Sequence, residues 1–94
     1  MEFDWDEGNR DKNLQHGVHD DEIEEALEDR RAILVDSARV KSEQRYVILG
    51  RASGSGKYLR VVLAVRMKAD REVVRPISAV EMSLAEKRRY RRRL

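Results

Sequence analysis

Apolar and polar residues alternate through much of the second half of the chain, and this alternation predicts a β-sheet. Between Tyr58 and Arg66, for example, Leu59 and Val61 fall on one face and Arg60 on the other, which is the two-residue period of a strand. Such patterns, together with one short apolar run, predict strands at residues 32–35, 45–51, 58–66 and 72–79. Because these segments follow one another closely, we expect an antiparallel meander.

The connections between the predicted strands are rich in turn residues. The segment Ser53–Gly56 contains two glycines, which supply the positive φ angles that a hairpin tip requires. Residues 36–42 and 68–71 are polar and lack periodicity, so we expect connections there. Pro76 has no N–H to donate, so its strand should lie at a sheet edge or be interrupted there. In that strand we expect Val73, Arg75 and Ile77 on one face and Val74, Pro76 and Ser78 on the other.

The N-terminal pattern is weaker. Phe3 and Trp5 alternate with aspartates, as in a short edge strand. A polar helix beginning at Asp6 and continuing to about Gln15 should end at Gly17, because glycine tolerates the left-handed conformation of a helix stop. This helix needs support from tertiary contacts.

Two better helices follow. Asp20 or Asp21 can cap the first, in which Ile23, Ala26 and Leu27 form an apolar stripe at helical spacing. Ser83 opens the second, which should continue to Leu94, and Glu86 stands three residues later in the spacing of a capping box. The chain is therefore predicted to be an α+β domain: a short strand and two helices, an antiparallel sheet of about four strands, and a C-terminal helix. We expect the helices on one sheet face and a basic surface on the other.

Composition narrows the class of protein. With 94 residues, 40% hydrophobic and 40% charged, the chain has room for a single domain, residues 1–94. It has no cysteine, no signal-like N-terminus and no apolar run near the ~20 residues of a membrane span. We therefore expect a cytoplasmic protein without membrane association.

Charge is distributed unevenly along the chain. Residues 1–29 contain twelve acidic and two basic residues, whereas the remainder contains six acidic and eighteen basic ones. Six of the last eight residues are lysine or arginine. Such a block favours a nucleic acid or another polyanion as partner, although packing of an acidic half against a basic half is the simpler alternative.

The candidate chemistry consists of arginines around one histidine. RNA is cleaved when its 2′-hydroxyl attacks the adjacent phosphate, which requires a base, an acid and positive charge on the phosphorane. His16 suits either proton role because histidine titrates near neutral pH. Arg45 and Arg75 lie on predicted strands that suit phosphate binding, and Lys87 and Tyr90 share a helix face that suits stacking or proton donation.

Each of these residues also has a structural explanation. His16 can serve as a helix-stop residue, Glu86 as a capping acceptor and Tyr90 as a packed core residue. Arg45 and Arg75 can be cross-strand ion-pair partners. His16 and His19 suggest a metal site only weakly, since no third ligand is implied. No metal and no cofactor is therefore predicted.

The order of several short motifs resembles one known family, the BrnT toxins of type II toxin–antitoxin modules. The motifs are Phe3-x-Trp5-Asp6, Asn13-Leu-x-His16-Gly17-Val18, Glu43-x-Arg45-Tyr46 with Leu49-Gly50-Arg51, Arg75-x-Ile77-Ser78-Ala79, and Glu86-Lys-Arg-Arg-Tyr90. The resemblance covers nearly the whole chain. It implies a RelE/ParE-like fold and a ribosome-independent endoribonuclease activity that stops translation.

The resemblance also implies partners and site residues. The antitoxin would be a BrnA-like ribbon-helix-helix protein, and operator DNA would be bound only through it. By position, the implied catalytic residues are His16, Arg45, Arg75, Glu86 and Tyr90. RNA binding is assigned to the basic residues Arg51, Arg60, Lys87, Arg88 and Arg91, and we expect the antitoxin to block RNA by covering this basic surface.

Two positions depart from the family pattern and leave alternatives open. Gln15 stands where the family usually has lysine, and Val80 stands where it usually has arginine. A catalytically weak toxin that serves mainly as an antitoxin-binding co-repressor is one alternative. A non-catalytic nucleic-acid-binding module is another.

Overall fold

A computed structural model describes residues 1–92 of the chain, so the predicted helix end at Arg93 and Leu94 lies outside the described residues. The fold is α+β, as predicted. In chain order its elements are a 3₁₀ helix (Lys12–His16), α1 (Asp20–Leu27), β1 (Ile33–Val40), β2 (Glu43–Arg51), β3 (Tyr58–Lys68), β4 (Arg71–Glu81) and α2 (Leu84–Arg91). Neither α1 nor α2, at eight residues each, is long and apolar enough to cross a membrane.

The four strands form one antiparallel sheet in the order β1-β2-β3-β4, which confirms the predicted meander. The tip Ser53–Gly56 joins β2 to β3, and Gly56 has the positive φ expected of a turn glycine, at 79°. One boundary was wrong: residues 36–40 continue β1 instead of forming a loop. Their side chains are all exposed, so the strand shows no apolar alternation that could reveal it.

One face of the sheet, here called the inner face, packs against α1. Ile23, Ala26 and Leu27 are buried there against Leu59 and Val61 of β3, so the predicted apolar stripe is confirmed. The helix approaches β2 closely, since a Cβ added to Gly50 would lie 2.0 Å from the Ala26 carbonyl oxygen. Only glycine permits this approach.

The opposite, outer face carries α2, which corrects the expectation that all helices lie on one face. Leu49 alternates with Gly50 along β2 and packs with Ile33, Met82 and Tyr90 in a second core. The predicted cap is confirmed, because the Ser83 hydroxyl accepts from the Glu86 N–H at 3.1 Å and the Glu86 carboxylate accepts from the Ser83 N–H at 2.9 Å. Helix α2 covers one end of the outer face and leaves the other end open.

The N-terminal segment differs in detail from the prediction. The expected first strand is reduced to a single parallel bridge between Phe3 and Val74 at the free edge of β4. The expected helix from Asp6 becomes turns followed by the 3₁₀ helix, although its stop at Gly17 (φ 72°) is confirmed. Side chains close the edge where backbone pairing ends: Asn9 donates to the Pro76 carbonyl and Asn13 accepts from the Ala79 N–H. This edge of the sheet is thereby covered.

Pro76 lies on the edge strand β4, as predicted, and next to an irregularity in its pairing. Val62 pairs with Ser78, whereas the next residue, Leu63, pairs with Pro76. Ile77 is the extra residue of a bulge. The bulge reverses the alternation, so Ser78 lies on the outer face and not beside Pro76 as the sequence pattern predicted.

Candidate nucleic-acid interface

A cluster of cations surrounds one tyrosine where α2 meets the outer face of the sheet. The Tyr58 ring centroid lies 5.3 Å from the Arg51 guanidinium carbon, 5.7 Å from Lys87 Nζ and 5.2 Å from the Arg91 guanidinium carbon. These four residues, Arg51, Tyr58, Lys87 and Arg91, are called the Tyr58 cluster. A hydrogen bond from Arg91, with the charges of the other cations, lowers the pKa of Tyr58 below its ordinary value. The cluster is a concentrated positive surface with an aromatic centre.

Buried contacts hold the Tyr58 cluster in place. The Tyr90 ring meets the Tyr58 ring edge to face, at 5.7 Å between centroids and 77° between planes. Tyr90 is 3% exposed, and its hydroxyl donates to Asp29, two residues after the end of α1. Burial first, and then this carboxylate, raise the pKa of Tyr90 to about 12. Tyr90 therefore stays protonated and links α2 to the segment that follows α1.

A cleft of about 540 Å³ opens beside the Tyr58 cluster. Its walls are of mixed charge, and they are formed by Glu25, Glu28, Asp29, Arg30, Arg31, Arg51, Ser53, Tyr58 and Tyr90. Glu25 is occupied with the hairpin tip, since it accepts from the Gly54 N–H at 2.7 Å. The basic side of this cleft is continuous with the cluster through Arg51.

The structure brings together the two strand arginines that the sequence singled out. Arg45 and Arg75 both pair with Ala64 of β3, one from each side, so they lie in one row on the outer face. Two strand spacings separate their backbones, or about 10 Å. A small pocket of about 150 Å³ contacts both, and Glu43 and Arg66 also line it.

These arginines are already paired with carboxylates. Arg45 and Arg66 share Glu43, at 3.0 and 2.7 Å. Arg75 is bound by Asp6 at 2.9 Å and by Asp4 at 3.4 Å, and its side chain is only 13% exposed. The hydrogen bond from Arg75 lowers the pKa of Asp6 to about 2. Three cations thus face three carboxylates, so this end of the outer face is close to neutral.

Glu86 lies between the two groups of cations. In addition to capping α2, its carboxylate pairs with Arg60 Nε at 3.1 Å, and Arg60 projects from β3 opposite Val80. Ala64 is four residues farther along β3, so the Arg60–Glu86 pair lies about 13 Å from the Arg45–Arg75 row. Of the predicted catalytic residues, Glu86 therefore lies toward one end of the outer face, and Arg45 and Arg75 lie at the other.

His16 is exposed at the end of the 3₁₀ helix. Residues 1–92 contain no hydrogen bond or ion pair that joins its ring to Arg45, Arg75 or Glu86. The neighbouring Gly17 carbonyl accepts from Lys57 Nζ at 2.6 Å, and Lys57 immediately precedes β3. His16 is thereby anchored at the sheet end that carries the Tyr58 cluster, and away from the Arg45–Arg75 row.

Three of the five predicted RNA-binding residues, Arg51, Lys87 and Arg91, meet in the Tyr58 cluster. Arg60 pairs with Glu86, and Arg88 is exposed on α2. Tyr58 itself was missed by the sequence reasoning. Its position at the first residue of a predicted strand, directly opposite Arg51 across the hairpin, was a usable signal.

Possible metal ligands are dispersed in the part of the chain that the structure describes. Residues 1–92 contain no group of three histidine or acidic side chains placed to hold a metal ion. The candidate chemistry therefore consists of the cations and paired carboxylates of the outer face, together with His16 at the end of the 3₁₀ helix.

Comparison with known proteins adds one match. The model of a family described as the ribonuclease toxin BrnT of type II toxin–antitoxin systems matches residues 5–86. No curated protein matches the chain. The matched range includes the whole sheet, His16 and the start of α2, and it ends before Lys87 and Arg91.

Proposed function

The chain belongs to the BrnT family of ribonuclease toxins, and from that premise we propose that it is an endoribonuclease that cuts RNA without a metal ion. The single observation that carries the proposal is the family match over residues 5–86, and the Tyr58 cluster supports it by offering a surface for a polyanion. Cleavage of messenger RNA would stop translation, and we propose that the protein acts in the cytoplasm, where translation takes place.

The proposed reaction uses the RNA as its own nucleophile. The 2′-hydroxyl oxygen attacks the adjacent phosphorus while a base removes its proton. The bond from phosphorus to the 5′-oxygen then breaks, and an acid protonates that oxygen. The products are a 2′,3′-cyclic phosphate and a 5′-hydroxyl end. We assign the two proton transfers to His16 and Glu86, one as base and one as acid.

Positive charge on the phosphorane would come from Arg60, which is already hydrogen-bonded to Glu86. Val80 pairs directly with Arg60 across the two strands, so the Arg60 guanidinium stands next to the position where the family usually has arginine. Arg45 and Arg75 would bind the RNA strand farther along the face, together with exposed Arg88 at the helix. Tyr90 would act by positioning α2.

The test of this function is cleavage by the purified protein in excess EDTA. Single-stranded RNA should be cut to fragments ending in cyclic phosphate, as mass spectrometry would show. The same sequence with 2′-O-methyl groups should stay intact, because the attacking hydroxyl is blocked. Cleavage of the methylated strand, or cleavage only after Mg²⁺ is restored, would contradict the mechanism.

A second candidate, a weak toxin that serves as an antitoxin-binding co-repressor, is favoured by one observation. The carboxylates Glu43, Asp4 and Asp6 neutralise the Arg45–Arg75 row. In that case the protein would bind RNA without cutting it, and the double change Gln15→Lys with Val80→Arg would produce cleavage. The EDTA experiment separates the two candidates directly.

Membership of a type II family also implies a cognate antitoxin, and we place its anchor at β1. Among residues 1–92, β1 pairs with β2 alone, whereas the other sheet edge is covered. Leu34 is 57% exposed and borders an apolar groove of about 320 Å³ on the inner face. Arg89 of α2 and Arg92, which follows the helix, lie beside Leu34.

An extended segment with alternating apolar and acidic side chains fits this edge, since it would gain backbone hydrogen bonds, fill the groove and meet the arginines. The antitoxin is expected to be a BrnA-like ribbon-helix-helix protein that joins the toxin to operator DNA. Another element of it would cover the Tyr58 cluster and exclude RNA.

The change Leu34→Asp should weaken antitoxin binding at least about tenfold, because it puts a charge in the groove. RNA binding should be unchanged. Met67→Asp is the matched control, since Met67 is also an exposed apolar residue, at 66%, but lies next to the β3–β4 hairpin. Calorimetric titration with the purified antitoxin measures both, and equal loss in the two variants would contradict a docking site at β1.

A further inference from the structure

We propose that Tyr58 is the platform on which one unpaired base of the RNA stacks, so that the site selects single strands over duplexes. The inference deepens the proposed function and rests on it for the identity of the ligand. It assigns to Tyr58 the stacking role that the sequence had suggested for Tyr90. Three observations support it: the position of the half-exposed ring on the outer face, the cations around it and the rigidity of its support.

Tyr58 is the aromatic residue that the outer face offers to solvent. The chain has five aromatic residues. Phe3, Trp5 and Tyr46 pack against the first core, and Tyr90 is buried in the second. Tyr58 is half-buried as well and packs against the second core, with an edge-to-face contact to Tyr90, but it lies on the outer face among cations.

The cations around the ring are placed to bind the phosphates next to a base that stacks on the ring. A stacked base leaves its own phosphate and the next one within reach of neighbouring side chains. Arg51, Lys87 and Arg91 lie within 5.7 Å of the ring centroid and form no ion pair with a carboxylate among residues 1–92. In the Arg45–Arg75 row, by contrast, the arginines form ion pairs with carboxylates. Stacking with cations around it is the usual design of single-strand binding sites.

The ring is held before any ligand arrives. The Tyr58 carbonyl accepts from the Met82 N–H at 2.8 Å, and the residue before it accepts from the Ala52 N–H at 2.9 Å. The backbone is therefore fixed on both sides of the ring. A platform of this kind loses little conformational entropy when a base stacks on it.

Base stacking on a single aromatic ring typically contributes enough affinity to change binding fivefold or more, and duplexed bases cannot use it. The experiment compares a fully 2′-O-methylated 12-nucleotide strand with its duplex, because both lack the attacking hydroxyl. Tyr58→Leu should weaken binding of the single strand at least about fivefold and leave duplex binding within about twofold. Tyr58→Phe should bind both as the wild type does. Equal losses for strand and duplex, or no loss, would overturn the inference.

A second measurement needs no variant. A strand carrying 5-iodouridine should crosslink to the peptide that contains Tyr58 on irradiation, and a crosslink confined to other peptides would count against stacking there. Thermal unfolding of Tyr58→Leu checks that the fold is retained, and if it is not, the crosslink decides. Binding and cleavage are scored separately: a wild type that binds but does not cut refutes the ribonuclease proposal alone, whereas cleavage with unselective binding refutes the platform alone.

Discussion

Replacing His16 with alanine should slow RNA cleavage by about 10²–10⁴-fold, the usual contribution of one general acid or base. The side chain is exposed at the end of the 3₁₀ helix and forms no hydrogen bond with residues 1–92, so its loss should leave stability almost unchanged. The expected defect is therefore in the rate of cleavage. It is measured under single-turnover conditions with labelled single-stranded RNA, alongside a binding measurement that should give wild-type affinity.

His19→Ala is the matched control for this change. His19 is also an exposed histidine, three residues away, but it does not end the 3₁₀ helix. It is the N-cap residue of α1, a position that the sequence pattern had wrongly given to Asp20 or Asp21. It should cut RNA at nearly the wild-type rate. If His16→Ala retains full activity, or if both variants lose it equally, the assignment of proton transfer to His16 is wrong.

The second large effect is expected from removing the charge of the Tyr58 cluster. The triple variant Arg51→Gln, Lys87→Gln, Arg91→Gln should bind single-stranded RNA about 100-fold less tightly at moderate salt. The slope of log affinity against log salt should fall by roughly two, since about 0.7 counterion is released for each phosphate neutralised on a single strand. Fluorescence anisotropy at several salt concentrations measures both quantities.

A second triple variant tests whether location or net charge matters. Arg10→Gln, Arg39→Gln and Lys41→Gln remove the same three charges from exposed positions away from the cluster. Both variants therefore change the net charge by the same amount. The control should bind within about threefold of the wild type, and equal weakening by the two triples would show that net charge alone attracts RNA.

The parts of the fold that were predictable have local causes. The alternation from Leu59 to Leu63 records burial of one strand face, and the Ser83–Glu86 capping box satisfies backbone donors within four residues. Gly17 and Gly56 end a helix and a hairpin through their own φ angles. Each of these features is decided by neighbours close in sequence, so a sequence pattern can reveal it.

The candidate site was only partly predictable, because its geometry depends on contacts between distant residues. Arg75 is bound by Asp6, 69 positions earlier, and Tyr90 by Asp29, 61 positions earlier. The basic residues of the C-terminal helix were evident from the sequence, whereas the ring they surround was not. Tyr58 becomes the centre of a cluster only when α2 folds onto the outer face of the sheet.

The sequence by itself determined the α+β class, the four-strand meander, the capping box of α2 and the family, because these depend on short-range periodicity, turn chemistry and the order of motifs. Only the tertiary structure decided that α2 packs on the face opposite α1 and that a bulge at Ile77 turns Ser78 outward. It also decided which cations are neutralised and which remain available. Ion pairing depends on distances between atoms from separate elements, and those distances exist only when the sheet and both helices have packed together.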